Sequence, residues 1–324
     1  MTVSTAAAPQ KTPRNRSTVR AMQNRERILL AGFLAAIWAI TTALSPRFLT
    51  PANLSDILVQ TAPLGFVVLG QMVVIIVRGL DLSVASIMAT VAVLSTGLID
   101  NTAVIFVLGL MLGALIGTVN GGLVAYRRVT PFLATLATMI VLQGIRFAYT
   151  KGAPGGTLPE AFRWLATGDI FGIPVAPIAL AVVAFALHWV LERTVYGRRL
   201  KLVGTNPDAA RMTGAPVRLI VLSAYVISGL TAALGGLFLV GYVGIVDNWT
   251  GRGYELDSIA AAVIGGAALS GGKGSVPGVL LAALILVSLF NIVVILGLPI
   301  EWQFVIKGTL IILAATVYMK RRRV

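Results

Sequence analysis

Residues 103–125 read AVIFVLGLMLGALIGTVNGGLVA, and this stretch contains no charged side chain. An apolar stretch of this length matches a helix that crosses the hydrocarbon core of a bilayer. Glycine recurs at every fourth position, which places the glycines on one helix face and lets a neighbouring backbone approach closely. These residues are Gly109, Gly113, Gly117 and Gly121. The stretch therefore predicts a membrane-spanning helix that packs tightly against another helix.

Two further stretches show the same spacing of small residues. One contains Ser228, Ala232 and Gly236, and the other contains Gly266, Ser270, Gly274 and Gly278. Both predict close helix contacts of the kind found in many helical membrane proteins. They indicate dense packing and give no information about a substrate.

The composition of the whole chain agrees with a membrane location. Of its 324 residues, 57% are hydrophobic and 12% are charged, and its mean hydropathy is +0.90. A soluble domain has about 25% charged residues, so an ordinary soluble protein is excluded. Ten apolar stretches predict about ten transmembrane segments of an all-α polytopic membrane protein. They are 28–44, 55–77, 81–99, 103–125, 131–149, 171–191, 217–243, 257–270, 276–297 and 302–319.

The distribution of basic residues predicts the orientation. The net charge is +14, and 19 of the 26 Lys and Arg residues fall in the segments on one side of the ten-span arrangement. Cytoplasmic loops carry this excess in membrane proteins, so both termini are expected in the cytoplasm. The basic excess is thereby explained by topology, and a nucleic-acid partner is not expected. The predicted organisation is a basic cytoplasmic arm (1–27), a transmembrane domain (28–319) and a basic cytoplasmic tail (320–324).

Several kinds of chemistry are absent from the sequence. The chain has no Cys and one His, His188, which excludes thiolate catalysis and makes a metal site unexpected. The glycine-rich residues 270–275 (SGGKGS) lack the Gly six positions before Lys and the Ser or Thr after it that a phosphate-binding loop needs. We expect a tight turn there. No set of catalytic side chains can be assembled, so the chain is not predicted to be an enzyme.

The longest predicted cytoplasmic loop, 192–216, contains a capped short helix. Asn206 suits the N-cap position, Pro207 the first helical position, and Gly214 the left-handed position after the helix. We predict a helix over 207–213. An ordinary surface connector and a helix that docks into a cytoplasmic partner are both compatible with this pattern. The residues that would form the docking helix are Asn206, Asp208, Ala209, Ala210, Arg211, Met212 and Gly214.

Four stretches in the same order resemble a known family. They are GLDLSVASIMA (79–89), NGGLVAYRRVTPFLATLATM (120–139), GTNPDAARMTGAPV (204–217) and GRGYELDSIAAAVIGGAALSGGKGSVPG (251–278). Together with QFVIKGTLIILA (303–314) they resemble the permease subunits of ribose-type monosaccharide ABC importers. The resemblance runs from about residue 54 to 319.

This resemblance implies a function and a set of partners. It implies a multi-pass permease subunit in the bacterial inner membrane that translocates a monosaccharide or a sugar-like solute and works in a pair, here expected to be a homodimer. A cytoplasmic ATPase would bind ATP and Mg, so no cofactor is expected in this chain, and an extracytoplasmic binding protein would deliver the solute. Residues 206–214 would be the helix that couples the permease to the ATPase. The alternative is a stand-alone secondary transporter driven by an ion gradient.

Residues of the translocation path are the least readable from sequence. The candidates are Asp81, Asn120, Phe132, Gln143, Asn291 and Lys307. Asp81 is compatible with a structural role, as a cap of the third span that pairs with Arg78, and with a functional role as an intramembrane carboxylate. Lys307 is expected either to extend to the membrane surface or to pair with Glu255 or Asp257. Arg146, near the outer end of the fifth predicted span, is a similar case.

Overall fold

The computed structural model describes residues 16–94, 101–153, 158–309 and 312. This part of the chain is helical apart from loops, one short 3-10 helix and one two-stranded antiparallel hairpin. The elements are α1 (Arg16–Leu44), the 3-10 helix (Pro46–Leu49), α2 (Pro51–Ile76), α3 (Val84–Leu94), α4 (Thr102–Ala125), α5 (Pro131–Thr150), α6 (Glu160–Thr167), β1 (Asp169–Ile170), β2 (Ile173–Pro174), α7 (Val175–Arg193), α8 (Val195–Thr205), α9 (Pro207–Met212), α10 (Val217–Val243), α11 (Tyr254–Ile264), α12 (Val276–Ile295) and α13 (301–309).

Seven helices of the described part are long and apolar enough to cross a membrane: α1, α2, α4, α5, α7, α10 and α12. The prediction of an all-α polytopic membrane protein is therefore confirmed, whereas the count of about ten spans and the orientation of the termini stay predictions. α1 begins within the predicted arm, of which residues 1–15 lie outside the described residues, as do the tail and half of the last predicted span. The sixth predicted span begins late, because residues 169–174 form the hairpin before α7.

Within the described residues, two predicted spans hold short helices. In 257–270 the helix α11 has 11 residues, where a crossing helix needs about 20. In 81–99 the helix α3 has 11 described residues, and 95–99 lie outside the described part of the chain. The chain is non-helical over 77–83 before α3 and over 265–275 after α11. The prediction of a helical stripe through Gly266, Ser270 and Gly274 is therefore wrong. Gly266, with φ +95°, adopts a left-handed conformation that ends the helix.

The interior is built around α2 and α10. α2 is almost fully buried by α7, α10, α11 and α12, and α10 packs on α4 along the predicted glycine face. A Cβ atom added to Gly113 would lie 2.4 Å from the carbonyl oxygen of Gly229, and one added to Gly117 would lie 2.4 Å from that of Tyr225. The predicted close packing of residues 103–125 is confirmed, and backbone of α10 is what fills the space.

The loops lie at two opposite ends of the helix bundle, and each end has its own polar contacts. At one end, Arg27 bonds to Ser275 at 3.0 Å and the amide of Gly272 donates to the carbonyl of Ile76 at 2.8 Å. We call this the α9 end, because α8 and α9 lie beside these residues. At the opposite end, the side chains of Asn53 and Asn291 bond to each other. Among the described segments predicted to face the cytoplasm, the end of the arm, 78–80, 192–216 and 271–275 meet at the α9 end.

Candidate functional site

The predicted docking helix is present as α9, which ends one residue earlier than expected. The side-chain oxygen of Asn206 accepts hydrogen bonds from the amides of Asp208 and Ala209 at 3.0 and 3.1 Å. Gly214 has φ +73°. Both caps predicted from the sequence are therefore present, and residues of the loop itself determine where α9 begins and ends.

One side of α9 faces the protein and the other faces solvent. Ala210 is fully buried beside α8 and α10, and Ala209 is half-buried. Met212 is 90% exposed, and Arg211 and Asp208 form an ion pair on the surface. An exposed methionine next to charged side chains is suited to a protein partner, because its flexible side chain fits irregular apolar surfaces. The coupling role of this helix stays a prediction.

α8 was not predicted from the sequence. It lies inside the predicted loop 192–216, and Thr194 caps it by accepting the amide of Gly197 at 3.2 Å. The hydroxyls of Tyr196 and Ser223 are 2.8 Å apart and connect α8 to α10. Burial raises the pKa of Tyr196, so this hydroxyl stays protonated to a higher pH than that of an ordinary tyrosine. The Thr194 cap was the sequence signal for this helix.

Two of the predicted path residues, Asp81 and Asn120, lie in one buried network. Asp81 accepts hydrogen bonds from the amide and hydroxyl of Ser83, at 3.0 and 2.6 Å, and from the hydroxyl of Ser228 at 2.8 Å. Asn120 donates to the hydroxyl of Ser83 at 2.8 Å and accepts from Thr138 at 2.6 Å. The network joins the break between α2 and α3 to α4, α5 and α10.

The expected pair between Asp81 and Arg78 is absent, because Arg78 donates elsewhere. Its guanidinium bonds to the carbonyl oxygens of Gly204 and Thr205. Asp81 lies three residues before the start of α3 and accepts the amide hydrogen bond of Ser83. It therefore stabilises the non-helical residues before α3 and is not the N-cap of that helix. The structural role as predicted, an N-cap that pairs with Arg78, is therefore wrong, although Asp81 does hold the break between α2 and α3 through its hydrogen bonds. Its functional role stays a prediction.

The other candidates lie apart from this network. Phe132 is 51% exposed on α5 and Gln143 is half-buried on the same helix; the hydrogen bonds that join the Asp81 network involve neither. Asn291 forms its two bonds with Asn53, at 2.8 and 3.2 Å, which connects α12 to α2. That these residues line a path stays a prediction.

Lys307 on α13 forms an ion pair inside the bundle. Its ammonium nitrogen lies 2.7 Å from a carboxylate oxygen of Asp257 and 4.7 Å from the ring centroid of Phe290. Of the partners considered from the sequence, Asp257 is therefore the one that binds. Glu255 instead accepts the amide of Gly253 at 2.9 Å.

We expect Lys307→Met to destabilise the folded chain by about 3–5 kcal/mol, because the Asp257 side chain is 6% exposed and would lose its cation. The double variant Lys307→Met with Asp257→Leu replaces both charges by apolar side chains and is expected to regain most of the stability. Thermal unfolding of the detergent-solubilised proteins measures both. Wild-type stability of the single variant would show that Lys307 does not compensate the charge of Asp257.

A buried arginine was only partly anticipated. Arg146 on α5 is 4% exposed, and it donates to the carbonyl of Ser86, the hydroxyl of Thr90 and the carbonyl of Asn248. Sequence reasoning treated it like Lys307, as a side chain that reaches the surface or a carboxylate. The oxygens that hold it are neutral and lie far along the chain, so no local signal identifies them.

The described residues contain no group of three or more His, Cys, Asp or Glu side chains that could hold a metal ion. Residues 270–275 form the predicted turn between α11 and α12, with Gly271 and Gly272 at positive φ. The geometry thus comprises a capped surface helix, a buried polar network behind it and an ion pair formed by α11 and α13.

Comparison with known proteins gives matches over most of the chain. A family profile described as "Branched-chain amino acid transport system / permease component" matches residues 53–315. The ribose import permease protein RbsC of Escherichia coli K12 is 38% identical over 296 residues, which cover 89% of this chain and 92% of that protein. RbsC of Bacillus subtilis 168 is also 38% identical, over 288 residues (87% and 89%). The galactose/methyl galactoside import permease protein MglC of E. coli K12 is 35% identical over 305 residues (87% and 90%). No solved structure matches the chain significantly.

Proposed function

This chain belongs to the permease family described as branched-chain amino acid transport system permease components, and we propose that it translocates a monosaccharide of the ribose or galactose type. It is a permease subunit of an ABC importer. The observation that carries the choice of solute is the identity of 35–38% with sugar import permeases over nearly their whole length. The family description names amino acids, whereas the relatives that are 35–38% identical to this chain are sugar import permeases.

The partners follow from this role. A separate ATPase would bind ATP and Mg and contact α9, an extracytoplasmic protein would deliver the sugar, and a second copy of the chain would complete the path in the bacterial inner membrane. The exposed Met212 supports the contact with the ATPase. The exposed apolar side chains of α5, which include Phe132, Ile140 and Ile145, support an environment of lipid or of the second copy.

The proposed mechanism is alternating access driven through α9. Closure of the ATPase on ATP would displace α9, which is held between α8 and α10. Because Ala210 is buried against the protein, α9 would move together with its flanking helices. Movement of α10 would then open or close the path.

The test is co-purification from the native membrane. We expect the wild-type chain to retain a stoichiometric ATPase, and Arg211→Glu with Met212→Glu to lose it, because these changes reverse one charge and remove the apolar contact. Ile245→Glu with Arg252→Glu is the matched control, since these residues are exposed outside the α9 end. It is expected to retain the ATPase.

Uptake by cells that produce the complex completes the test. Radiolabelled D-ribose or D-galactose is expected to accumulate with the wild-type chain and not with the α9 variant. Uptake of leucine alone would contradict the choice of solute. A chain that purifies alone and transports in proteoliposomes with only an ion gradient would contradict the ABC role and favour the secondary transporter.

A further inference from the structure

The non-helical residues 77–83, between α2 and α3, are attached to the chain directly before α9. Arg78 has φ +65°, and its guanidinium donates to the carbonyl oxygens of Gly204 and Thr205 at 2.6 and 2.5 Å. These carbonyls are the last of α8, and the next residue is the N-cap of α9. Carbonyls at the end of a helix lack partners within it and attract a cation. Arg78 therefore supplies bonds that the end of α8 needs.

Backbone contacts at the same place leave no space for independent movement. A Cβ atom added to Gly204 would lie 1.7 Å from the carbonyl oxygen of Ile76, and one added to Gly271 would lie 2.5 Å from that of Gly204. The amide of Gly272 donates to Ile76. The ends of α2 and α8 and the turn before α12 thus touch through their backbones. A displacement of the start of α9 must be followed by residues 77–83 or must break these contacts.

The other flank of α9 is attached to the same segment. α10 follows α9 after four residues, and Ser228 of α10 donates to Asp81. Arg78 and Asp81 are three residues apart in the sequence. The 77–83 segment therefore contacts the helix before α9 through one side chain and the helix after α9 through another.

From this segment the contacts continue to α5. The amide of Leu82 donates to the hydroxyl of Thr135 at 3.1 Å, and that hydroxyl lies 3.3 Å from the carbonyl of Leu80. Thr135 is fully buried on α5, the helix that carries the exposed Phe132. The segment is thus bonded to α8, α10 and α5.

We infer that residues 77–83 transmit the displacement of α9 to α5, and that Arg78 and Thr135 are the positioning residues at the two ends of this connection. The inference rests on the proposed function, since the ATPase supplies the displacement. It assigns to these two residues a role in coupling that is separate from contact with the solute.

The absence of Cys allows a direct measurement. Spin labels are placed at Ile140→Cys on α5 and Ile40→Cys on α1, both exposed, in complexes with the ATPase in which labelled chains are diluted with unlabelled ones. Pulsed electron paramagnetic resonance gives the distance between the labels with and without ATP. We expect ATP to shift this distance in the wild-type background and to leave it unchanged with Arg78→Gln.

Three further variants make the result specific. Arg78→Lys keeps the positive charge but cannot reproduce the two guanidinium hydrogen bonds, so we expect an intermediate change in the distance between the labels. Thr135→Val keeps nearly the same side-chain shape but removes the hydroxyl that accepts from Leu82, so we expect the ATP-dependent distance change to be lost. This variant tests the inference independently if Arg78→Gln does not fold. Arg127→Gln removes an exposed charge from the loop between α4 and α5 and is expected to shift like the wild type.

Transport supplies the second readout. With Arg78→Gln, we expect the amount of ribose or galactose transported per ATP to fall about tenfold, which corresponds to losing a charge-assisted hydrogen bond, while the ATPase stays bound and hydrolyses ATP. A wild-type shift and wild-type transport in both Arg78→Gln and Thr135→Val would overturn the inference and leave the proposed function intact. A wild-type chain without an ATPase would overturn the proposed function and the inference together.

Discussion

Gly113→Ala is expected to destabilise the folded chain, whereas Gly122→Ala on the same helix is expected to stabilise it. A Cβ at Gly113 would lie 2.4 Å from the carbonyl oxygen of Gly229, so α4 and α10 must separate. Overpacking of this kind costs about 1–3 kcal/mol. At Gly122 nothing lies within 4 Å of an added Cβ, and alanine favours a helix by about 1 kcal/mol over glycine. Thermal unfolding of the two purified variants measures the opposite signs.

The comparison is strict because both variants make the same substitution in one helix and differ only in what the methyl group meets. Equal stabilities would mean that α4 does not touch α10 at Gly113. Gly229→Ala provides the complementary check, since its Cβ would lie 2.0 Å from the carbonyl oxygen of Gly113. It is expected to behave like Gly113→Ala.

Asp81→Ala is expected to prevent the chain from reaching its folded state in normal yield. The change removes the acceptor of three buried donors, the amide and hydroxyl of Ser83 and the hydroxyl of Ser228. A buried donor without a partner costs about 1–3 kcal/mol. The amount of monodisperse protein after solubilisation, together with its unfolding temperature, measures the effect.

Asp81→Asn separates the two interpretations of this residue. Its amide oxygen can accept from Ser83 and its amide nitrogen can donate to the hydroxyl of Ser228, so we expect it to fold. If it also transports like the wild type, the role of Asp81 is to hold the helix break. If it folds and binds the ATPase but does not transport, the negative charge itself is needed. Folding no better than Asp81→Ala would contradict the hydrogen-bond account.

The features predicted correctly from the sequence depend on residues close together in the chain. The caps of α9 need only Asn206, Pro207 and Gly214, and the glycine face of α4 repeats within one helix. The charge-free length of residues 103–125 indicates a membrane span without reference to any other segment. Such local patterns can be recognised in the sequence without knowing which other segments pack against them in the fold.

The features that sequence reasoning missed depend on distant contacts. Arg78 was expected to bind Asp81, three residues away, but the carbonyls at the end of α8 lack partners and bind it instead. The unwinding at Gly265 and Gly266 was missed because an apolar composition continues through it, although paired glycines are a signal for such an end. Of the partners considered for Lys307, only the folded arrangement selects Asp257.

The caps of α9 fix its shape and the buried Ala210 anchors it to the protein, while the side chains of Asp208, Arg211 and Met212 are exposed. Its outward side chains can therefore change without disturbing the helices that carry the solute. In the proposed complex, in which α9 contacts the ATPase, evolution can then alter which ATPase a permease recruits while keeping the same translocation path. One ATPase could serve several permeases that share these few surface residues, and a duplicated permease could acquire a motor of its own by a handful of substitutions.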